Sequence, residues 1–421
     1  MNVNRIAYAC IAMAMLYARG VSAQDTVRIN IRQAEKQFLE KNLLLLAESC
    51  NIDAAKANLL QAKLFSNPTF SASTNIHNLE NYRWLDVSKG TGQYTFAVEQ
   101  LIRLGGKRSK EAALAKYSLQ ISENQLYDIL RTLRFSLGSI FYELHYTYRS
   151  LSSFSAQISL LEDLQTTYKG LRGKGIVSLG EQARIQALLY GLQSDKLDLQ
   201  STFNELQSQL QLLLQDNHTV FIPDVEDGDF AFRNPNNFSP TELVSQAVEN
   251  RVDLQIAQEE LAYQQKKVSL EKASAIPDLT LGVSYDRRGG FVKNLFGLNM
   301  SMPLPLFDRN KGNIRAAKAM AAQKELLAGK KQLEVENEVL KAYANALEAD
   351  RISRSIDTDF EHNLQLLLQS ITDNFRKKNV SMLEFTDFYE SYKDNTVKIN
   401  QIKNKKAQTM EELRFAVGND F

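Results

Sequence analysis

The chain has 421 residues, 44% of them hydrophobic and 24% charged, and a formal net charge of +1. Those values exclude an intrinsically disordered chain, and the near-neutral charge offers no chain-wide attraction to nucleic acid. Length alone suggests two or three domains.

The N-terminus is the first informative segment. Arg5 precedes an apolar stretch, Ile6 to Tyr17, and Val21-Ser22-Ala23 follows as a small-residue cleavage pattern. This predicts a secretory signal peptide over 1–23. A membrane anchor is the competing reading, but the apolar run is shorter than the roughly 20 residues a span needs. Cys10 sits inside the apolar run and not after it, which argues against a lipoprotein signal. Cleavage removes Arg5, Arg19 and no acidic residue, so the charge falls from +1 to −1. It also removes Cys10 and leaves Cys50 alone, so no intrachain disulfide is possible and packing or assembly must supply stability. Beyond residue 23 no apolar run is long enough for a transmembrane helix, so entry into a membrane would have to be as strands.

The rest of the chain contains itself twice. At an offset of 209, Asn42–Pro68 lies over Arg251–Pro277 without a gap, with Pro68 and Pro277 among the few identities. In each copy an amphipathic helix pattern runs into that proline and then into strand alternation. Repeat 1, residues 24–215, reads as a helix, a β-hairpin over 69–101, a long helix over 107–169, a tip turn over 170–178 and a helix over 179–215. A linker rich in Pro, Asn and Asp follows over 216–240, ending in Ser239-Pro240 as an N-cap and first helical position. Repeat 2, residues 241–421, gives a helix, a β-hairpin over 278–304, a long helix over 313–373, a tip turn over 374–381 and a helix over 382–418.

The seven prolines set these limits, because none falls in 69–222 or 306–421 and proline breaks helix interiors. Each long window could hold a helix of about 60 residues, roughly 90 Å at 1.5 Å per residue. Leu130, Leu133, Leu137, Ile140, Leu144, Tyr148 and Leu151 step by three or four, close to a heptad seam. Helices of that length must lie along others in a bundle, coiled coil or helical tube. At the tips, Ser178 and Ser381 are each followed three residues later by Glu181 and Glu384, a capping-box signal. A plain helix-hairpin turn accounts for that signal by itself.

Strand alternation runs through Phe70, Ala72, Thr74 and Ile76, then Tyr94, Phe96 and Val98. In the second copy it runs through Leu279, Leu281, Val283 and Tyr285, then Phe296, Leu298, Met300, Met302 and Leu304. Strands of about ten residues with one apolar face suit a tilted transmembrane strand; a soluble sheet with one buried face reads the same way. Four strands cannot close a barrel, and open edges cannot survive in lipid or sit comfortably in water. One solution is a shared barrel to which several chains contribute four strands each.

The order helix–Pro–hairpin–long helix–turn–helix, given twice, resembles the TolC-type outer-membrane efflux proteins over nearly all of the mature chain. Ser301–Ala317 (SMPLPLFDRNKGNIRAA) and Gln100–Ala115 (QLIRLGGKRSKEAALA) are similar to the family's two strand-to-helix junctions, and Gly173–Glu181 is similar to its tip motif. The second tip departs from the motif, with Lys378 opposite Gly175. PLPLFDR at the second junction is similar to the heavy-metal-efflux branch, CzcC- or CusC-like. The resemblance implies an internally duplicated α+β membrane protein: a long α-helical periplasmic barrel plus a transmembrane β-barrel, four strands per chain and twelve in a homotrimer. It implies the outer membrane of a Gram-negative bacterium, with outer-membrane lipid around the strands and the helices in the periplasm. Its partners would be a periplasmic membrane-fusion adaptor and an inner-membrane pump of the RND type. The adaptor contacts carried over are Gly175, Val177, Ser178 and Glu181 at one tip and Asn379, Val380, Ser381, Leu383 and Glu384 at the other. Pro68, Gly105, Gly106, Pro277, Pro303 and Pro305 fall at the strand junctions as structural residues.

The expected function is a passive exit duct of a tripartite efflux system. A duct for type I protein secretion, or a structural coiled-coil protein of the envelope, are the alternatives. No catalytic constellation, cofactor site or metal-ligand spacing is present in the sequence, so no enzyme is expected. His77, His145, His218 and His362 stand apart; Met300 and Met302 read as flexible apolar filler; and Gly170–Gly175 lacks the Gly-Lys-Ser/Thr ending of a phosphate loop. Lys403, Lys405 and Lys406 read as cations near the last helix end, with no nucleic acid expected as a partner.

Overall fold

The computed structural model describes residues 25–79, 82–225, 234–356 and 358–418. The predicted signal peptide lies outside them. Asp25–Ile29 (β1) leads into Ile31–Lys41 (α1) and Leu43–Ala62 (α2), then Thr69–Thr74 (β2), His77–Asn78 (β3), Arg83–Trp84 (β4) and Gln93–Ile102 (β5). The first long helix is Lys107–Gly173 (α3), followed by Leu179–Leu214 (α4) and Thr219–Pro223 (β6). The second half gives Pro240–Asn250 (α5), Val252–Ser274 (α6), Leu279–Arg288 (β7), Val292–Ser301 (β8), Lys311–Arg354 (α7), Thr358–Arg376 (α8) and Met382–Val417 (α9).

The duplication is visible element by element. Each opening helix is broken at an equivalent residue. Asn42 (φ −65°, ψ 115°) separates α1 from α2, and Arg251 (φ −70°, ψ 116°), 209 residues on, separates α5 from α6. The helices after the tips, α4 and α9, are both 36 residues long. Four features depart from the sequence reading. The opening helices are split, because the Asn42 amide bonds the Leu213 carbonyl (3.3 Å) and the buried Arg251 guanidinium is held by Asp253 and Glu338. The helix expected over 313–373 is two helices. At their junction the Ser355 hydroxyl donates to the Ile352 carbonyl (2.7 Å), and the Ser355 and Ile356 N–H groups bond carbonyls three residues back, which tightens and ends the turn. The linker contains a strand, β6, which pairs in parallel with β1. Finally, β2 has six residues and not ten, and the segment after it carries its own small β3–β4 hairpin.

The described residues divide into two compact units. One comprises 44–131, 241–340 and residues from 417 onward, and holds a four-stranded antiparallel sheet in the order β2-β5-β7-β8. Cross-strand partners place Phe70, Ala72 and Thr74 beside Val98, Phe96 and Tyr94, and these beside Val283, Tyr285 and Arg287. Phe296, Leu298 and Met300 complete the same face. Side chains two apart share a face, so the alternation in all four strands lies on one side. That side is open: Phe70, Phe296, Leu298 and Met300 are 67–82% exposed. Rings run across it from Phe70 through Phe96, Tyr94 and Tyr285 to Phe296, with neighbouring centroids 5.3–6.2 Å apart. Met300 is part of this exposed face, and Met302 lies beyond the strand.

The junctions of the sheet are rigidly built. Pro68 and Pro277 come just before β2 and β7, and Pro303 and Pro305 follow β8, all where no ladder donor is needed. Gly105 and Gly106 turn the chain from β5 into α3 in the left-handed region, at φ 68° and 67°. Asp278 clamps this turn by accepting from the Leu104 N–H (2.9 Å) and the Lys107 ammonium (2.7 Å).

The other unit comprises residues up to 43 with 132–240 and 341–416. Its two-stranded β1–β6 sheet is held by α4 side chains. The Gln207 carboxamide bonds both the N–H and the carbonyl of Phe221, and Gln211 donates to the Thr219 carbonyl (2.7 Å). Of the stripe predicted for the long helix, Leu137, Leu144 and Leu151 are buried and Leu133, Ile140 and Tyr148 half-buried; Phe38, Phe141, Leu210 and Leu214 are buried in the same unit.

Gly105→Ala tests the junction. A Cβ there would lie 3.0 Å from Ile276 Cδ1 and 3.2 Å from the Ala273 carbonyl, on a backbone angle that L residues resist. The expected loss exceeds ~1 kcal/mol and would be seen as earlier denaturation of the purified protein. Gly170→Ala, on an exposed helical turn with open space around it, should be neutral or slightly stabilising.

Candidate functional site

The predicted tip residues come together in one unit, at the turns α3–α4 and α8–α9. Each turn ends its incoming helix with the same pair of hydrogen bonds. Gly175 N–H bonds the Arg172 carbonyl (2.8 Å) and Ile176 N–H the Leu171 carbonyl (3.0 Å); Lys378 and Asn379 do the same with Phe375 (3.0 Å) and Asn374 (2.9 Å). This double closure needs a left-handed residue. Gly175 supplies it at φ 72° and Lys378 at φ 64°. The departure of Lys378 from the tip motif therefore leaves the turn intact, at a strain of roughly 1 kcal/mol. Its ammonium reaches across to the Ile176 carbonyl (3.3 Å), so one tip is bonded to the other.

Both outgoing helices start with a complete capping box. The Ser178 N–H donates to the Glu181 carboxylate (2.7 Å) and the Glu181 N–H to the Ser178 hydroxyl (3.1 Å). Ser381 and Glu384 repeat the pattern at 2.9 and 3.2 Å. The Ser178 N–H and hydroxyl hold the Glu181 carboxyl below the usual carboxylate range, and the charge of Lys378 adds to this. Ser381 does the same for Glu384. Val177 and Val380 point inward onto the hydrophobic cluster behind the tips. Gly175, Ser178, Asn379, Ser381, Leu383 and Glu384 are exposed and Glu181 is half-buried. The accessible surface of the tips is thus capped serines and small or polar groups, flanked by Ile176, Leu179 and Leu383.

Sequence reasoning missed what lies behind that surface. Tyr168, Phe375 and Phe385 stack nearly parallel, with centroids 5.2 and 4.2 Å apart, and Tyr389 continues the row at 6.0 Å. All four are buried. Burial, with Glu181 nearby, pushes the Tyr168 hydroxyl up to about 12. The signal was present as aromatics one helical turn before and after the second tip, but the rings belong to three helices and no spacing in the chain pairs them. An open cleft of about 460 Å³ follows between α4 and α9, lined by Leu188, Leu192, Leu383, Tyr389 and Lys393.

The remaining candidates resolve as structural groups. His145 Nδ1 lies 3.1 Å from the Pro223 carbonyl, His77 packs on Trp84, and the His362 side chain lies outside the described residues. Lys403 and Lys406 pair with Glu361 (2.6 Å) and Asp350 (2.9 Å), so neighbouring helices and not a helix dipole account for them. Among the described residues no three His, Cys, Asp or Glu side chains are grouped to hold a metal ion, and no helix is long and apolar enough to cross a membrane.

Comparison with solved structures gives the fold. The CusC structure superposes with a TM-score of 0.75 at 15% identity over 96% of both chains. The Campylobacter jejuni CmeC outer membrane channel does so at 0.75 and 15%, over 92% of this chain and 85% of that one. The fold is that of the outer-membrane efflux channels. Residues 243–419 match the family described as Outer membrane efflux protein, and the cobalt-zinc-cadmium resistance protein CzcC of Cupriavidus metallidurans is 25% identical over 295 residues, which cover 69% of this chain and 66% of that relative.

The capping boxes make the tips sensitive to acid. A carboxyl held below its unfolded value stabilises the fold above about pH 4.3, and that contribution is lost as pH falls through the lower folded value. Hydrogen exchange at the Glu181 and Glu384 amides, corrected for intrinsic rates, should therefore lose protection on going from neutral pH to about pH 3. Ser178→Ala and Ser381→Ala should each lower tip stability by ~1 kcal/mol and flatten that pH response.

Proposed function

We propose that three copies of the chain form an exit duct in the outer membrane of a Gram-negative bacterium. Each contributes four strands to a twelve-stranded barrel, and their helices form a periplasmic tunnel. The observation that carries this reading is the β2-β5-β7-β8 sheet. Its apolar face is exposed and both its edges are open. Lipid covers such a face, and strands from neighbouring copies close such edges. A structural coiled-coil protein has no use for this sheet.

The duct works with a periplasmic adaptor and an inner-membrane pump of the RND type. The pump supplies the energy; this chain conducts and does not catalyse. The adaptor docks on the two tips, at Gly175, Ser178, Glu181, Asn379, Ser381, Leu383 and Glu384, with Val177 and Val380 holding the surface from behind. The paired Schellman turns and capping boxes support this assignment, since they present two like surfaces on a rigid aromatic stack. Similarity to CzcC favours heavy-metal efflux over drug export or type I protein secretion as the system served.

The double variant Ser178→Arg with Ser381→Arg separates duct from docking. Purified from outer membranes, it should form trimers and conduct ions across a planar bilayer as the unmodified protein does. In cells that depend on the pump it should abolish export. Absence of bilayer conductance in both proteins would refute the duct, and normal export by the double variant would refute docking at the tips.

A further inference from the structure

The segment between β2 and β5 is longer than a strand connection requires, and its described residues 82–92 fold in one direction. Asp86, itself buried, accepts from the Ser88 N–H (3.0 Å) and the Thr91 hydroxyl (2.6 Å) and so closes a compact turn. Tyr82 and Leu85 take left-handed backbone angles, φ 60° and 50°, and the Leu85 N–H bonds the Ile76 carbonyl (2.9 Å). This folded loop holds out Trp84 and Leu85, which are 72% and 60% exposed. Val87 shares a shallow cleft with Ala72, Ser73, Thr74, Tyr94 and Phe96. All of these sheet residues except Ser73 belong to the apolar face. The loop therefore bends chiefly over that face; the opposite one carries Ser71, Ser73, Thr95 and Asp286.

A cation lies at the same end of the same face. Arg287 is aligned with Tyr94, and one of its guanidinium N–H groups donates to the Lys89 carbonyl in the loop (3.1 Å). Its Nε is buried and has no hydrogen-bond partner, and neither Arg287 nor Lys89 forms an ion pair among the described residues. Asp286 is turned to the other face, where it bonds Arg288 and Thr95. An apolar foot beside cations with unused donors is a surface for a lipid with an anionic head: aromatic and aliphatic groups seat at headgroup depth, and guanidinium and ammonium groups take phosphate.

We propose that residues 82–92 of the β2–β5 loop form a membrane-interface foot. Trp84, Leu85 and Val87 enter the outer leaflet at headgroup depth, and Arg287 with Lys89 holds the phosphate of a lipid headgroup beside them. This rests on the barrel reading above, which makes the apolar face the lipid-facing one. It extends that face beyond the end of the strands and gives the longer hairpin loop of repeat 1 a task that the short Gly289–Phe291 turn of repeat 2 does not share.

Trp84 is the only tryptophan in the chain, so its fluorescence reports on the foot directly. In proteoliposomes of phosphatidylcholine with added lipid A, Trp84 should be quenched by lipids brominated near the headgroup, more weakly by lipids brominated deep in the chains, and little by aqueous iodide. Lys89→Gln with Arg287→Gln should lose the preference for lipid A over phosphatidylcholine that native mass spectrometry reads for the trimer. A second protein, Trp84→Phe with Phe296→Trp, places the reporter on the sheet and should be quenched by the deep bromines. Quenching of Trp84 by iodide alone, with Phe296→Trp still quenched by lipid, would overturn the foot and leave the barrel standing. Failure of both reporters to meet bromine would overturn both, and an unchanged lipid preference in the double glutamine variant would overturn the phosphate site.

Discussion

A backbone N–H or C=O left without a partner in hydrocarbon costs several kcal/mol, and this sheet carries a row of such groups on β2 and another on β8. The apolar face asks for lipid while the edges forbid it, and only closure satisfies both. Within one chain the problem is already half solved, since β5 and β7 pair over ten residues from Gln93↔Arg288 to Ile102↔Leu279. That antiparallel ladder joins repeat 1 to repeat 2. In the proposed trimer the same kind of ladder joins β8 of one copy to β2 of the next, so the internal duplication and the assembly use one device.

The two repeats are alike where geometry is demanding and differ where it is not. The breaks at Asn42 and Arg251, the left-handed turns at Gly175 and Lys378, and the boxes at Ser178 and Ser381 recur at matching positions. Lys378 is instructive: a lysine takes up a strained angle to preserve a turn that Gly175 makes freely, and its ammonium then bonds the other tip. The aromatic row behind the tips is not duplicated. Phe375, Phe385 and Tyr389 come from repeat 2 and Tyr168 from repeat 1, so the tips share one asymmetric core beneath two similar surfaces.

Much of this was legible in the sequence because it is local. The prolines and glycines bounded the long helices, the alternation in Tyr94–Val98 and Phe296–Met300 marked one face, and Ser-x-x-Glu marked the helix starts. What escaped was non-local or too short to be periodic. β1 and β6 are five residues each and lie 190 residues apart, and glutamines on α4 complete their hydrogen bonding. The helix break at Ser355 has no proline or glycine to announce it; a hydroxyl competing for a carbonyl makes it. The stack at Phe375 depends on three helices meeting, which no spacing records.

The central claim is that neighbouring copies close the sheet at its edges. Cysteine cross-linking in the outer membrane tests it most directly, in a Cys50→Ser background. Ser71→Cys on β2 would be combined in turn with Leu295→Cys, Gly297→Cys, Asn299→Cys and Ser301→Cys on β8, which share its face of the sheet. Edge pairing predicts covalent trimers at one register and sparse cross-linking at the others. Cross-links at none of the four in membrane-inserted protein would contradict it.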